Sequence, residues 1–288
     1  MRQGRRVNEY LLSILLGIVE GLTEFLPVSS TAHLRIAEGL LGVSLKSDYW
    51  KMYSVVIQLG AILSVVAYFR RRIADFARTF PRGAGGDRTL LNHPLSITLL
   101  AFVVTAVPSY LAEKRIGENL ESLAVMAWAL LGGGVVMWLV DISCRRPRTT
   151  DMEQMHVLQA VWTGLAQVVS AVLPGTSRSM ATIAAGQLCG MSRTAALEFS
   201  FFLSIPTMFA ATGYKLWKGL TNASAIAADP SAPAHPWTVL AVGFAVSFVV
   251  ALAVVAWFMH WVRRRGFAPF AVYRIALGAG ILLWGWWR

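Results

Sequence analysis

Four long runs without a charged residue constrain this chain more than anything else in it: 52–69, 122–140, 199–214 and 237–260. Each is close to or above the roughly 20 apolar residues that carry a helix through a bilayer. With 56% hydrophobic and 14% charged residues among 288, the composition leaves little polar surface for a soluble fold. The expectation is an all-α integral membrane protein forming one membrane domain over residues 1–288. The net charge of +11 is mostly arginine at the ends of apolar segments. Such arginines read as topology signals and headgroup contacts. Nucleic acid would want a soluble basic surface, and none is visible. Cys144 and Cys189 match no metal spacing and read as packing residues. The Arg-rich start followed by residues 10–19 looks like a leader, but Glu20 interrupts the run and no small-residue cleavage site follows, so it reads as mature chain.

The stretch LGIVEGLTEFLPVSSTAHL, residues 16–34, behaves differently. A helix over 8–26 carries Glu20 and Glu24 on one face. Ser13, Gly17 and Gly21 repeat small residues at the spacing that lets another backbone approach in a membrane. Leu26-Pro27 breaks the helix, and Ser29, Ser30 and Thr31 are good caps for a second helix ending near Leu41 and Gly42. His33 follows within one turn. Ionisable groups in such a segment are expensive, so they are functional by default. Spans are expected over 52–69, 90–111 and 122–140, with Gly132–Gly134 as a close-packing point.

The pattern then repeats. WTGLAQVVSAVLPGTSRSMAT, residues 162–182, overlays residues 15–35 at an offset of 147: Gly17 meets Gly164, Glu20 meets Gln167, Leu26-Pro27 meets Leu173-Pro174, and Ser30 meets Ser177. LLGVS and LCGMS then align after one extra residue. Spans over 194–214, 237–262 and 268–287 follow. Repeat one, about 8–142, and repeat two, about 155–288, are each a re-entrant broken-helix hairpin plus three transmembrane helices. An odd number of crossings per half makes this an inverted-topology repeat, whose broken helices meet near the midplane and form the site. Arginines at 70–72, 82, 145, 146, 148 and 263–265 fall on one side, which the positive-inside rule makes cytoplasmic. Arg2, Arg5 and Arg6 lie on the other.

The halves divide the chemistry. Gly175 permits close backbone approach at a helix start, where N–H groups favour a phosphate. Thr176, Ser177 and Ser179 add hydroxyl donors, with Thr182 one turn on in the same helix. Arg178 offers a planar fork suited to phosphate. The first half supplies Glu20, Glu24, His33 and the hydroxyls of Ser29, Ser30 and Thr31. A carboxylate pair beside a phosphate needs a divalent cation between them; an oxygen-rich site on Glu20 and Glu24 suits Mg²⁺ or Ca²⁺.

GIVEGLTEFLPVSSTAHL and LPGTSRSMAT resemble the two signatures of the bacterial undecaprenyl-pyrophosphate phosphatase family, the bacitracin-resistance type. VVIQLGAILSVV, LEFSFFLSIPTM and FAPFAVYRI resemble further family segments, so the likeness covers most of the chain. It implies metal-dependent hydrolysis of undecaprenyl pyrophosphate to the monophosphate at the outer face of the bacterial cytoplasmic membrane, recycling the carrier for cell-wall synthesis and conferring bacitracin resistance. The partners implied are that substrate and bilayer lipid, with a homodimer as a candidate assembly. By position the acids are Glu20 and Glu24, the histidine is His33, the hydroxyls include Ser30 and Ser177, and the arginine is Arg178. Ser54 stands where some members carry an acid, and Ala32 where glycine is common. Either Ser30, deprotonated with the help of His33, or a water activated by Glu24 or His33, is the nucleophile. The alternative is a lipid-phosphate transporter or flippase on the same inverted-repeat fold.

Overall fold

A computed structural model describes residues 8–43, 47–116, 122–221 and 229–286. Residues 44–46 of the polar stretch 44–48 and most of the charged stretch 113–121 lie outside the described residues. So do residues 222–228 of the Ala/Ser/Pro-rich stretch 222–236. The described residues form eleven α-helices: α1 (Glu9–Thr23), α2 (Ser30–Leu41), α3 (Asp48–Tyr68), α4 (Arg70–Thr79), α5 (Pro94–Ile116), α6 (Leu123–Ser143), α7 (Val157–Val172), α8 (Arg178–Leu188), α9 (Arg193–Thr221), α10 (Pro236–Arg265) and α11 (Ala268–Trp286). Six of them, α3, α5, α6, α9, α10 and α11, are long and apolar enough to cross a membrane. Their ends follow local chemistry. Asn8 caps α1 through its side chain, Ser47 caps α3 and Ser122 caps α6. Gly42, at φ 71°, closes α2 in the left-handed region that glycine adopts without strain.

The boundaries depart from the sequence reading in several places; α9, expected to end at 214, runs on to Thr221. The first helix stops at Thr23, so Glu24 is its C-cap residue and Glu24–Val28 is turn. The span expected from 90 begins at Pro94, after a turn that leaves Leu90 and Leu91 exposed. Residues 70–79, expected as span end and polar loop, form α4. That helix buries Phe76 and carries Arg70, Arg71 and Arg78 on exposed positions.

Packing is dominated by four sets of helix contacts: α1 on α10, α7 on α5, α3 on both α9 and α10, and α6 on α11. The small-residue stripe of α1 is the reason for the first. A Cβ on Gly17 would lie 2.7 Å from Gly243 O, and one on Gly21 would lie 2.8 Å from Ser247 O. Ser13 Oγ, in the same stripe, donates to Val239 O at 2.6 Å. Gly164 does the same for α7: a Cβ there would lie 2.6 Å from Ala101 O, and Thr105 Oγ1 donates to Gly164 O at 2.9 Å. Close backbone approach of this kind maximises dispersion contact where burial from water supplies no drive. Gly134 and Gly278 seat α6 and α11 against each other in the same way. An aromatic cluster closes the centre, with Phe25 edge-on to Phe201 at 5.5 Å and Phe201 and Phe267 both flanking Phe258.

Candidate active site

The two breaks, α1–α2 and α7–α8, meet tip to tip. Ser179 Oγ donates to Leu26 O at 3.0 Å, and Arg178 Nη2 pairs with Glu24 Oε1 at 3.1 Å. Helix α11 locks this meeting from the side. Arg274 is fully buried and donates to Pro27 O (3.0 Å) in the first tip, to Gly175 O (3.2 Å) and Thr176 O (2.9 Å) in the second, and to Ala129 O (3.0 Å) of α6. One guanidinium thus satisfies the carbonyls that both helix breaks leave orphaned. Irregular backbone inside an apolar protein needs such partners.

Each tip passes through a serine in the left-handed region, Ser29 at φ 73° and Ser177 at φ 71°. Such a conformation costs about 1–3 kcal/mol for a residue with a side chain and is held only by its surroundings. These serines are the residues just before α2 and α8. The overlay that pairs Ser30 with Ser177 therefore slips by one within the tip: Ser29 corresponds to Ser177, and Ser30 to Arg178, the first residues of their helices. The extra residue lies in the second tip, between Pro174 and Ser177. Ser177 Oγ caps Met180 N at 3.3 Å. Ser29 makes no such side-chain cap; instead its carbonyl accepts from His33 Nδ1 at 2.7 Å.

Around these tips the side chains fall into two groups. Glu24 is the hub of the first. One carboxylate oxygen takes Arg178 and the other accepts from the Ser30 hydroxyl. Arg178 also lies over the Phe25 ring, 5.9 Å from its centroid. Its Nη1 is buried without a partner, and so are both carboxylate oxygens of Glu20, which is 0% exposed. Glu20 sits one turn before Glu24, within electrostatic reach of both Glu24 and Arg178. Unpaired buried polar atoms need an explanation, and a catalytic role or a bound ion is one that fits here. The second group is His33, whose Nε2 is 2.7 Å from Tyr273 Oη, the two rings stacked. Ser30 is bonded to Glu24 and not to His33, so the carboxylate is the base that touches the hydroxyl.

The expected phosphate-binding residues separate by environment. Ser177 and Ser179 share a hydroxyl contact of 3.0 Å at the tip, beside Arg178. Thr31 is exposed one residue beyond Ser30. Gly175, at φ 91°, is needed for packing: a Cβ would lie 2.7 Å from Met126 Cα. Thr176 is buried and gives its carbonyl to Arg274. Thr182 is buried behind the tip and bonds Ser200 Oγ at 2.7 Å. Gln167, the counterpart of Glu20, bonds Thr207 Oγ1 at 3.1 Å. Ser54 donates to Glu38, which also holds Arg35, so an acid reaches that corner from α2.

Among the described residues no group of three or more His, Cys, Asp and Glu side chains gathers for a metal. The two free oxygens of Glu20 beside Glu24 nevertheless fit a hard divalent cation. Magnesium is commonly held by one or two carboxylates, completing its shell from water and substrate phosphate. Tyr273 and Arg274 escaped the reading from sequence. The available signal was an arginine inside an apolar helix, which is a functional candidate by its cost alone.

The sequence model of the family described as bacitracin resistance protein BacA matches residues 13–280. A protein named undecaprenyl-diphosphatase from Koribacter versatilis is 60% identical over 282 residues, covering 96% of this chain and 99% of that protein. Proteins of the same name from Novosphingobium aromaticivorans and Thermus thermophilus are 44% and 43% identical, over 96% and 93% of this chain and 98% and 94% of their own lengths. The glutamates, serines, histidine and arginine gathered at the two tips all fall within the matched residues, and the chain belongs to the bacitracin resistance protein BacA family.

Proposed function

We propose that this chain is a multi-pass membrane hydrolase that removes the terminal phosphate of undecaprenyl pyrophosphate, releasing the monophosphate for cell-wall synthesis. The observation that carries the reading is the joined tips: a buried glutamate with both oxygens free, a serine hydrogen-bonded to a second glutamate, and an arginine with one free arm. Phosphoryl transfer needs positioning and charge stabilisation above all. Arg178 Nη1 would take a phosphoryl oxygen, with the Ser177 and Ser179 hydroxyls beside it. Ser30 heads α2, where the helix dipole favours developing negative charge. Its proton would pass to Glu24 as Oγ bonds to the terminal phosphorus and the bridging P–O bond breaks toward the departing lipid monophosphate. Water then hydrolyses the phosphoserine.

Glu20, and Glu24 beside it, would hold a magnesium or calcium ion. Such an ion supplies neutralising charge to the phosphoryl oxygens. The inverted repeat is supported by the exchange of partners between halves: hairpin α1–α2 packs on α10, hairpin α7–α8 on α5, and the third spans α6 and α11 on each other. Chain order puts the arginines at 70–72, 145, 146, 148 and 263–265 on one side, which supports a cytoplasmic placement for that side. Helices α1 and α2 start and end on the opposite side, so the site opens outward in the bacterial cytoplasmic membrane. A homodimer is compatible with the exposed apolar faces of the spans.

A lipid-phosphate flippase needs the grip of Arg178 but no serine poised on a carboxylate. The test is phosphate release from a polyprenyl pyrophosphate by detergent-solubilised protein, with and without a chelator. Release that stops in chelator and returns with magnesium or calcium is expected. No release under any condition would favour the flippase; undiminished release in excess chelator would remove the metal from the proposal while leaving the hydrolase.

A further inference from the structure

His33 has one nitrogen available for chemistry. A backbone carbonyl can only accept, so the 2.7 Å contact with Ser29 O fixes the proton on Nδ1. Nε2 is left as the basic position, and the Tyr273 hydroxyl donates to it at 2.7 Å. The rings stack at 5.7 Å with 15° between their planes, so hydroxyl and imidazole hold each other in register. Ser30, the obvious client of a nearby histidine, is engaged by Glu24 instead. Tyr273 is 46% exposed, whereas the neighbouring Arg274 is anchored on four carbonyls. That anchor fixes the backbone from which Tyr273 projects and ties its position to the two tips.

We propose, resting on the phosphatase reading, that Tyr273 is a proton relay through which His33 activates the water that hydrolyses the phosphoserine. As the water oxygen bonds to phosphorus, its proton passes to Tyr273 Oη, and the phenolic proton passes to His33 Nε2. The P–O bond to Ser30 breaks with its electron pair on Oγ, which recovers the proton held by Glu24. Inorganic phosphate departs, and the imidazolium returns its proton to solvent through Tyr273. In the first half-reaction the proton passes from Ser30 to Glu24, with no part for Tyr273 or His33. Loss of the relay therefore slows only the second.

The test is Tyr273→Phe, which keeps the stacked ring and removes the hydroxyl. General acid–base assistance contributes about 10²–10⁴ in rate, so turnover should fall on the order of a hundredfold. Thermal stability should be unchanged. The diagnostic readout is pre-steady-state: Tyr273→Phe should release one equivalent of lipid monophosphate in a burst and accumulate phosphoserine at residue 30, detected by acid quench and mass spectrometry. His33→Gln should behave alike, and the double variant should be no slower than either single one, since both act in one relay. Wild-type turnover in Tyr273→Phe, a loss without phosphoserine accumulation, or losses that multiply in the double variant would each overturn the relay. Absence of phosphate release by the unmodified protein would instead overturn the phosphatase reading itself.

Discussion

Arg178 has one arm of its fork on Glu24 and the other unpaired in a buried position. That split makes Arg178→Lys informative. Lysine keeps the charge but presents a compact ammonium without the planar pair of donors. It can satisfy Glu24 or a phosphoryl oxygen, but not both in the same geometry. Arginine fingers contribute about 10³–10⁵ in other phosphoryl-transfer enzymes, and a lysine should recover part of this, so kcat should fall roughly a hundredfold. KM should change far less and the melting temperature little, because the charge opposite Glu24 is kept. Kinetics on a polyprenyl pyrophosphate with thermal stability measured alongside checks this; unchanged kcat would deny Arg178 a role in the transition state. As candidates, Glu20, Glu24, His33 and Arg178 were legible in the sequence because ionisable groups among apolar residues stand out, and Ser30 because it follows the Leu26-Pro27 break at a helix start. Their pairing was not. Proximity along α2 suggests that His33 serves Ser30, whereas the fold turns Ser30 toward Glu24 and His33 toward Tyr273, a residue 240 positions away.

At the scale of elements, the chain's small residues state which helices touch. The Ser13–Gly17–Gly21 stripe predicts a close neighbour, and α10 is that neighbour. The sequence cannot name it, since any apolar helix with a matching surface would serve. A branched side chain in the stripe is the direct probe. In Gly21→Val the new Cβ would lie 2.8 Å from both Ser247 O and Val250 Cβ, so α1 and α10 must move apart. Overpacking of this kind costs about 1–3 kcal/mol. Since α1 carries Glu20 and Glu24 into the site, turnover should fall together with the detergent-solution melting temperature. Gly39, whose Cβ would meet nothing within 4 Å, is the control: Gly39→Ala should leave both unchanged. Helix α4 shows where periodicity was overlooked. A run of arginines after a span reads as a topology signal, yet Phe76 and Ile73 recur at helical spacing beneath those charges and pack on the core. The extra residue of the second tip was hidden for another reason: the Leu-Pro and Ser landmarks align without it, and only the left-handed serines show which residues head the helices.

Across the whole molecule, an ion network helps to hold the end opposite the start of α1. Arg72, at the head of α4, pairs with Glu198 of α9 and also with Asp151 at 2.9 Å and Glu153 at 3.3 Å in the connection before α7. Arg88 adds a second contact to Glu153 at 3.2 Å. Glu198 is buried, with 7% of its side chain exposed, so Arg72 is its compensation. The network ties the first half to the base of the second hairpin, and through α7 and α8 it bears on where Arg178 is presented. Removing one partner of a buried pair strands the other charge, which costs about 3–5 kcal/mol; removing both with apolar groups of similar volume is often neutral. Arg72 is itself partly solvated, so the lower end applies, about 3 kcal/mol for Arg72→Met. The double variant Arg72→Met/Glu198→Met should recover most of that loss, leaving only the weaker contacts to Asp151 and Glu153 unmade. Surface pairs are screened by salt and buried ones much less, so the single variant's deficit should persist at high ionic strength. The measurement is detergent-solution melting of the wild type, both single variants and the double variant at low and high salt. A coupling near zero, or a deficit that disappears in salt, would reduce Arg72 to a surface topology charge, the role its sequence context first suggests. A strong, salt-resistant coupling would make the arginine-rich end a structural joint that sets how firmly the second tip, and Arg178 with it, is held against the first.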